Sequence, residues 1–305
     1  MLQVERLHQR ASLMASLRSF FAGRGFLEVD TPIRQPVLIP ERYIEPLRSE
    51  GAYLQTSPEL CMKRLLASGC AKIFQICPCF RKNEQGRRHL EEFTMLEWYH
   101  SGESYLKLMA DCEELLRFVQ QQFILQSDLH GYTRSFFAGF DFESAWERLT
   151  VESAFQKYSP CSVKEALADN SFDEILVEYV EPELGKKTPT FLLNYPLELG
   201  SLAKAKATEP DTVERFELYL GGIELANGFS ELTDAAEQRL RFEEEIVDIK
   251  RTWGQDITMP DVFLRDIENI KVAAGIALGV DRLFMLALGA EDIADVVSFS
   301  PADLV

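Results

Sequence analysis

The sequence predicts an α+β fold in which an antiparallel sheet is flanked by helices. Few strand–helix–strand units occur along the 305 residues, and hairpin-like links join several of the predicted strands. Such a pattern favours an antiparallel sheet. Apolar residues make up 46% of the chain and charged residues 27%, and 21 Phe, 9 Tyr and 3 Trp can form a large core. The composition therefore excludes a disordered chain.

The first half of the chain contains two long helical patterns. Apolar residues recur at helical spacing over 4–22 and again over 103–125. Ser57, Pro58 and Glu59 are typical of a further helix N-terminus, since they suit the cap, the first turn and the positive end of a helix. The predicted strands of this half are 26–29, 53–56, 72–77 and the two arms of a hairpin within 80–99, whose loop lies at about 83–90.

The second half of the chain begins with an insert of small helices and loops, about 127–189, to which we assign no chemistry. Gly221 and Gly222 then join two predicted strands. The predicted strands of this half are 191–195, 216–220, 223–229 and 274–278, and the predicted helices are 234–252 and 280–288.

The charge and the lack of long apolar segments narrow the class of protein. Lys+Arg is 32 and Asp+Glu is 49, which gives a net charge of −17. Such a surface repels phosphate backbones, so the charge argues against nonspecific nucleic-acid binding. The longest run of apolar residues and glycine, 272–280, is half of the ~18 to 20 residues that cross a bilayer. The N-terminus also lacks the apolar segment of a signal peptide. We therefore predict a cytoplasmic protein without a membrane partner.

The six cysteines do not resemble a disulfide framework in a chain of this length. Cys77 and Cys79 form the one close pair, and no second close Cys or His pair accompanies them as a zinc site would require. We predict buried, reduced thiols.

The first segment with chemical character is the predicted hairpin loop. This loop contains four basic residues and one acidic residue, Glu84, although the chain as a whole is acidic. The basic residues are Arg81, Lys82, Arg87 and Arg88. Arginine makes bidentate contacts to phosphate oxygens, so the loop is a candidate polyphosphate clamp. The alternative is a solvated basic turn.

The strand that follows this loop places a carboxylate among apolar residues. Phe93, Met95 and Glu97 alternate with Thr94, Leu96 and Trp98, so one face of the strand carries a charge into what is otherwise core. A glutamate on such a strand is unfavourable unless it is paired or functional, so Glu97 is a candidate site residue.

The second segment is 221–234, in which Glu224 and Glu231 are seven residues apart. An ideal strand would place them on opposite faces. A bulge at Asn227 and Gly228 would restore them to one face, where they would suit Mg²⁺ ions on a nucleotide's phosphates. The alternative is two exposed strand carboxylates.

The third segment is 275–289, an apolar strand followed by a helix. Gly279 allows a ligand to approach the backbone closely, and Arg282 can face a phosphate. The alternative is a surface ion pair of Asp281 and Arg282 that caps a buried helix.

Together these segments resemble the three signature motifs of class II aminoacyl-tRNA synthetases. Motif 1 resembles 10–32, motif 2 resembles 80–99 and motif 3 resembles 275–288. The segments TSPELCMKRLL (56–66), FTMLEWY (93–99) and GIELANGFSELTD (222–234) resemble the lysine-specific branch. The resemblance covers almost the whole chain and implies the catalytic domain of this class, with an antiparallel sheet flanked by helices.

The resemblance also implies which kind of protein within the lysine-specific branch the chain is similar to. Lysine-specific synthetases carry an N-terminal anticodon-binding barrel, whereas this chain begins almost at the first catalytic helix. We expect one catalytic domain over 1–305 and no anticodon-binding domain, which disfavours tRNA as the acceptor. The chain then resembles the free-standing members, which join (R)-β-lysine or lysine to a lysine side chain of translation elongation factor P. Ala277, where lysine synthetases usually have Gly, agrees with an altered amine pocket.

The resemblance implies an enzyme that uses ATP and Mg²⁺ and works as a homodimer. It assigns the α-phosphate to Arg81 and the γ-phosphate to Arg282, the two expected catalytic residues. The implied ATP-binding positions are Arg81, Asn83, Glu84, His89, Phe93, Glu224, Leu225, Gly279 and Arg282. The implied donor-binding positions are Ser57, Glu59, Glu97, Tyr99, Asn227, Phe229, Glu231 and Ala277. Glu224 and Glu231 match the acidic pair near the metal.

The motif 2 loop departs from the family pattern. Lys82 and Asn83 precede Glu84, so the glutamate is displaced by one residue, and Leu90 and Glu91 replace the more common Asn and Pro. Two other functions stay open on the sequence alone. One is a lysine-activating enzyme with a tRNA or small-amine acceptor, and the other is a non-catalytic paralogue that binds an amino acid and regulates a partner.

Overall fold

The computed structural model describes residues 2–130 and 136–305 and has an eight-stranded sheet at its centre. The α-helices are α1 (Val4–Ala22), α2 (Glu59–Ala67), α3 (Tyr105–His130), α4 (Val151–Tyr158), α5 (Val163–Ala168), α6 (Phe172–Ile175), α7 (Ala235–Trp253), α8 (Asp261–Ile267) and α9 (Val280–Leu288). The strands are β1 (Leu27–Glu28), β2 (Arg34–Gln35), β3 (Arg48–Ser49), β4 (Ala52–Leu54), β5 (Lys72–Phe80), β6 (Glu92–Ser101), β7 (Glu147–Thr150), β8 (Thr190–Leu193), β9 (Ala205–Lys206), β10 (Glu209–Val213), β11 (Arg215–Leu220), β12 (Ile223–Ser230) and β13 (Ala273–Gly279).

The strand order of the large sheet is β1-β5-β6-β13-β12-β11-β8-β7. Its inner pairs are antiparallel, and only the two edge pairs, β1–β5 and β7–β8, are parallel. The predicted antiparallel sheet flanked by helices is therefore confirmed. Small sheets β2-β4-β3 and β9-β10 lie outside it.

Alternation along β6 separates the core from the opposite face of the sheet. Leu96 and Trp98 are fully buried in the main core, where they meet Phe21 of α1 and residues of α3 and α9. Successive side chains of a strand point to opposite faces. Met95, Glu97 and Tyr99 therefore lie on the other face, which is the face that carries the site described below.

The element predictions are largely confirmed, with local exceptions. The helix predictions over 4–22 and 280–288 agree with α1 and α9, and the hairpin of β11 and β12 turns at Gly221 and Gly222, whose φ angles are +62° and +68°. Helix α8 was not predicted, because seven residues after a proline give little periodic signal.

The insert over 127–189 contains α4, α5 and α6 in its described part, as expected for small helices. It also contains β7, an edge strand that was not predicted. Residues 131–135 of the insert lie outside the described residues.

Every cysteine is free, and the prediction of buried thiols is confirmed for Cys77, Cys79 and Cys112 but wrong for Cys61, Cys70 and Cys161, which are partly exposed. Cys77 and Cys79 lie in a small apolar cluster with Met95. Within 2–130 and 136–305, no helix has both the length and the apolar character that a membrane crossing needs.

Candidate active site

A cavity of about 430 Å³ lies on the face of the sheet opposite the main core. All but two of the residues predicted to bind ATP or the donor line it. The predicted residues that line it are Ser57, Glu59, Arg81, Glu84, His89, Phe93, Glu97, Tyr99, Glu224, Leu225, Asn227, Phe229, Ala277, Gly279 and Arg282. Asn83 and Glu231 are the exceptions, and each has a structural reason given below.

The register of β6, β13 and β12 places the residues in the middle of the cavity side by side. Ala277 of β13 pairs with Asn227 of β12 on one side and with Glu97 of β6 on the other. Two residues along, Gly275 pairs in the same way with Phe229 and Tyr99. Directly opposed residues of neighbouring strands share a face. The two rows therefore form one continuous floor from residues that are more than 170 positions apart in the sequence.

Gly275 is required at its place in this floor. A Cβ atom added there would lie 2.1 Å from a ring carbon of Tyr99 and 2.5 Å from Oε1 of Glu231. Both distances are far below contact separations, so no larger residue fits without displacement of Tyr99 or Glu231.

The buried end of the cavity is an acidic pocket organised around Glu97. Ser57 Oγ donates to Glu97 Oε1 at 2.5 Å, and Tyr99 Oη donates to Glu97 Oε2 at 2.7 Å. Ser57 Oγ also accepts the backbone N–H of Glu59 at 3.0 Å, which fixes the start of α2. The hydrogen bonds leave Glu97 in a single orientation.

Lys63 is the one cation among these carboxylates in the described part of the chain, and it was not among the predicted site residues. Its Nζ lies 2.5 Å from Glu59 Oε1 and 2.5 Å from Glu231 Oε2. Burial alone would lower the pKa of Lys63, but the charges of Glu231 and Glu59 outweigh burial and raise it. Its spacing of four residues from Glu59 on a predicted helix was the available signal.

Glu231 is ion-paired with Lys63 at the end of the floor and is not among the residues that line the cavity. Burial raises its pKa to about 8, although Lys63 acts in the opposite direction. Burial also raises the pKa of Glu97 to about 8, and the charge of Glu59 adds to that rise. Three carboxylates thus face one ammonium group, and at neutral pH the pocket retains protons that a bound cation would displace.

The other end of the cavity is basic and lies at the motif 2 loop and α9. Arg282 Nη1 donates to the backbone oxygen of Glu224 at 2.9 Å, and its Nη2 lies 2.5 Å from His89 Nε2. Arginine has only donors, so His89 Nε2 accepts and the imidazole is neutral. Burial and the charge of Arg282 both lower the pKa of His89, in agreement with that state.

Two further arginines complete the basic end. Arg81 lies over the ring of Phe93 at 5.2 Å, and its nearest carboxylate is 3.8 Å away on Glu84. Its buried Nε has no hydrogen-bond partner among the described residues. Arg88 Nη1 donates to the backbone oxygen of Gly222 at 2.9 Å. Arg81 is therefore the arginine that is most open to an anionic ligand.

Asn83 is turned away from the cavity. Its φ is +65°, and its side-chain amide donates to Glu45 Oε2 at 2.8 Å. Glu84, the next residue, lines the cavity instead. The extra residue in this loop, noted in the sequence, is accommodated by the left-handed turn at Asn83.

The bulge in β12 occurs at Leu225 and not at Asn227 and Gly228, as the sequence had suggested. Ala226 pairs with Leu218 and Glu224 pairs with Tyr219, so Leu225 is the extra residue. One extra residue reverses the alternation, and Glu224 and Glu231 then share a face, as predicted. They lie at opposite ends of the strand, roughly 20 Å apart along it, too far to ligate one ion.

Glu224 is the carboxylate at the basic end of the cavity. Its Oε2 lies 3.3 Å from Arg282 Nη1, and its side chain is 34% exposed. The carboxylates near it are Glu181 and Glu217. Burial raises the pKa of Glu181 to about 7 and also raises that of Glu217, and in both cases the charge of Glu224 adds to the rise. No group of three metal-ligating side chains is formed within the described ranges.

Glu217 is a buried cavity residue that sequence reasoning missed. Its carboxylate accepts from Tyr219 Oη at 2.6 Å, from Arg215 Nη2 at 2.7 Å and from Asn227 Nδ2 at 3.2 Å, and Tyr195 Oη donates to it as well. These bonds fix Asn227 at the edge of the floor. Arg215 and Tyr219 lie two residues to either side of Glu217 on β11, and this alternation was the available local signal, whereas Tyr195 and Asn227 come from other segments.

Fold, motif order and cavity together define a class II aminoacyl-tRNA synthetase domain. The model of the family "tRNA synthetases class II (D, K and N)" matches residues 3–303, and the chain belongs to this family. Enzymes of this kind use ATP. The predicted fold class and the resemblance stated from the motifs are both confirmed.

The names of individual relatives are more specific than the description of the family. The chain is 38% identical to proteins of Salmonella gallinarum, Salmonella typhi and Salmonella paratyphi B that are named elongation factor P–(R)-β-lysine ligase. In each case the alignment covers 97% of this chain and 95% of the relative.

Proposed function

We propose that this chain is an ATP-dependent ligase that activates (R)-β-lysine or lysine as an adenylate and transfers it to a lysine side chain of translation elongation factor P. The names of the relatives support the donor and the acceptor. The observation that carries the proposal is the division of one cavity into an acidic end and a basic end.

This division suits a diamino acid beside a triphosphate. Glu59, Glu97 and Glu231 exceed the single cation Lys63 at the acidic end, so an additional ammonium group is favoured there. Arg81 and Arg282 supply charge-assisted donors at the basic end, where phosphate oxygens are favoured. The carboxylate of the amino acid would then lie between the two ends, next to the α-phosphate.

In the first step, a carboxylate oxygen of the donor attacks the α-phosphorus of ATP. A new oxygen–phosphorus bond forms, the bond to the pyrophosphate oxygen breaks, and the aminoacyl-adenylate remains. Arg81 stabilises the charge on the α-phosphate, and Arg282 holds the γ-phosphate. Gly279, where an added Cβ would meet only Arg282 at 3.6 Å or more, leaves room for the nucleotide.

Mg²⁺ fits the basic end of the cavity. This ion is usually held by one or two carboxylates together with substrate phosphates, and it would neutralise phosphate charge here. Glu224, which is partly exposed beside Arg282, is the carboxylate we assign to Mg²⁺. Two other carboxylates are already paired. Glu231 forms an ion pair with Lys63 at the other end of the cavity, and both carboxylate oxygens of Glu217 accept hydrogen bonds.

In the second step, the ε-amine of the acceptor lysine attacks the acyl carbon of the adenylate. A carbon–nitrogen bond forms, the bond to the phosphate oxygen breaks, AMP leaves and the amine loses a proton. Lys63 stays fully ion-paired with Glu59 and Glu231, so it is not available as the acceptor. The amine must therefore come from outside the pocket.

The remaining parts of the proposal concern the whole enzyme. We propose that residues 1–305 act as one catalytic domain, that the enzyme is a homodimer and that it works in the cytoplasm, where translation takes place. The net charge of −17 supports a protein acceptor over tRNA.

Transfer of radiolabelled lysine and (R)-β-lysine to separated acceptors tests the proposal. Purified protein with ATP should label elongation factor P and leave tRNA and small amines unlabelled, and either donor should support ATP–pyrophosphate exchange. ATP–pyrophosphate exchange together with label on tRNA would contradict the assignment of elongation factor P as the acceptor. Normal ATP binding without exchange for either donor would favour the regulatory paralogue.

A further inference from the structure

The loop over 36–47, between β2 and β3, carries a carboxylate into the cavity that no motif contains. Glu41 lines the cavity together with Ser57, Glu59 and Arg81. Its side chain forms no hydrogen bond and no ion pair with any residue in the described ranges. Glu41 is partly exposed to the cavity, and a carboxylate in such a partly enclosed place is stabilised when a ligand supplies a cation.

The neighbouring residue fixes this loop over the cavity. The backbone N–H of Arg42 donates to Glu245 Oε2 at 2.6 Å, its Nη1 bonds Asp248 Oδ2 at 3.0 Å, and its Nη2 donates to the backbone oxygen of Glu198 at 3.3 Å. These contacts join the loop to α7 and to the turn after β8. Glu41 is therefore held in place by bonds that do not involve its own side chain.

The loop of Glu41 lies beside the motif 2 loop, since the backbone N–H of Lys82 donates to the backbone oxygen of Glu45 at 2.9 Å. Burial raises the pKa of Glu41 to about 7, the negative charge of Glu59 adds to this rise, and the positive charge of Arg81 opposes it. The carboxylate is thus within electrostatic reach of both the acidic pocket and the arginine assigned to the α-phosphate. Glu97 and Tyr99 lie deeper, on the floor of the cavity.

We propose that Glu41 binds the amino group of the donor that lies nearest to its reacting carboxyl group, and that it thereby distinguishes diamino acids by the position of this amine. The proposal rests on the proposed function. The distal ammonium group of the donor would lie on Glu97, and the carboxyl group would lie beside Arg81. The near amine would then lie between Glu41 and Glu59.

Calorimetric titration of Glu41→Gln with related ligands tests this assignment. L-Lysine has both amines, 6-aminohexanoate lacks the near amine, and norleucine lacks the distal one. A charge-assisted hydrogen bond to the near amine predicts about tenfold to hundredfold weaker binding of L-lysine, (R)-β-lysine and norleucine. Binding of 6-aminohexanoate should stay within about twofold of the wild type. The ratio of the affinities for (R)-β-lysine and L-lysine should also change.

Glu244→Gln is the matched control, because Glu244 is exposed on α7 near the same loop and does not line the cavity. It removes one negative charge from the region and should bind all four ligands like the wild type. Both variants should bind ATP normally, which shows that they are folded.

The results separate this proposal from the proposed function. Equal losses for all four ligands, or no loss for any of them, would overturn the role of Glu41. A wild-type protein that binds no diamino acid would overturn both the donor assignment and the role of Glu41. The expected pattern of losses without transfer to elongation factor P would support Glu41 and overturn the acceptor alone.

Discussion

Arg282 extends from the first turn of α9 to the motif 2 loop, where it contacts His89 and the backbone of Glu224. Its replacement by alanine should remove the donors assigned to the γ-phosphate and leave the strand and the helix intact. We expect Arg282→Ala to lower ATP–pyrophosphate exchange by about 100-fold or more, on the scale of other charge-stabilising groups.

Arg87→Ala is the control for Arg282→Ala. Arg87 belongs to the same basic loop, but it is exposed and pairs with Glu291 at the surface. Its exchange rate should equal that of the wild type. Near-normal exchange in Arg282→Ala, with an unchanged circular dichroism spectrum, would exclude the assigned role of motif 3.

The raised pKa of Glu97 makes a prediction about pH and stability. Its pKa is about 8 in the folded protein, against an ordinary value of 4.5. Between these values the folded state holds a proton that the unfolded state has released, so the free energy of unfolding should fall as pH rises from about 4.5 to about 8. Glu97→Gln removes this contribution. The decrease in the free energy of unfolding between pH 5 and pH 8.5, measured by urea denaturation, should therefore be smaller in this variant by roughly 1 to 3 kcal/mol.

Glu231, Glu41 and Glu181 also have raised pKa values, so a residual fall should remain in Glu97→Gln. Glu92→Gln, at an exposed position of the same strand, should retain the full wild-type fall. An identical pH dependence in the wild type and Glu97→Gln would show that Glu97 is ionised at neutral pH.

At the scale of elements, strand β13 forms the floor because it has small residues on the face of the site. Gly275→Ala would place a methyl group against Tyr99 and Glu231. We expect this change to lower the free energy of unfolding by about 1 to 3 kcal/mol, as other overpacked sites do. Donor binding should also weaken at least tenfold, because Tyr99 and Glu231 must move.

Gly279→Ala gives the comparison for stability, since its methyl group would make only ordinary contacts at 3.6 Å and beyond. Thermal denaturation should show a native-like midpoint for Gly279→Ala and a lowered one for Gly275→Ala. Equal midpoints would mean that the floor adjusts freely around residue 275.

At the scale of the whole molecule, exposed apolar residues on α1 and on edge strand β1 support the proposed homodimer. Val4, Leu7 and Leu27 are exposed there, and one edge of β1 has no partner strand in the described structure. Sedimentation should give about twice the chain mass of 34.8 kDa. Leu27→Arg should shift this value toward the monomer.

Leu240→Arg is the control for the dimer, because Leu240 is an exposed apolar residue on α7. Its sedimentation should match that of the wild type. A wild-type protein that sediments as a monomer at micromolar concentration would contradict the homodimer.

Local patterns were sufficient for most elements, and the motifs identified fifteen of the residues that line the cavity. The period of apolar residues marks α1 and α9, and the two glycines mark the hairpin of β11 and β12, because these signals involve neighbours in the chain. Motif order then marked residues such as Arg81, Glu97 and Arg282. The position of the bulge was missed, since it depends on how β12 pairs with β11.

The sequence by itself determined the α+β class, the family and fifteen of the residues that line the cavity. Only the tertiary structure decided which charges meet. Lys63 joins Glu59 to Glu231, Glu217 combines partners from β11, β12 and the segment after β8, and Glu41 reaches the cavity from a loop without a motif. Periodicity and motifs record local geometry, whereas these contacts arise from strand register and burial between distant segments.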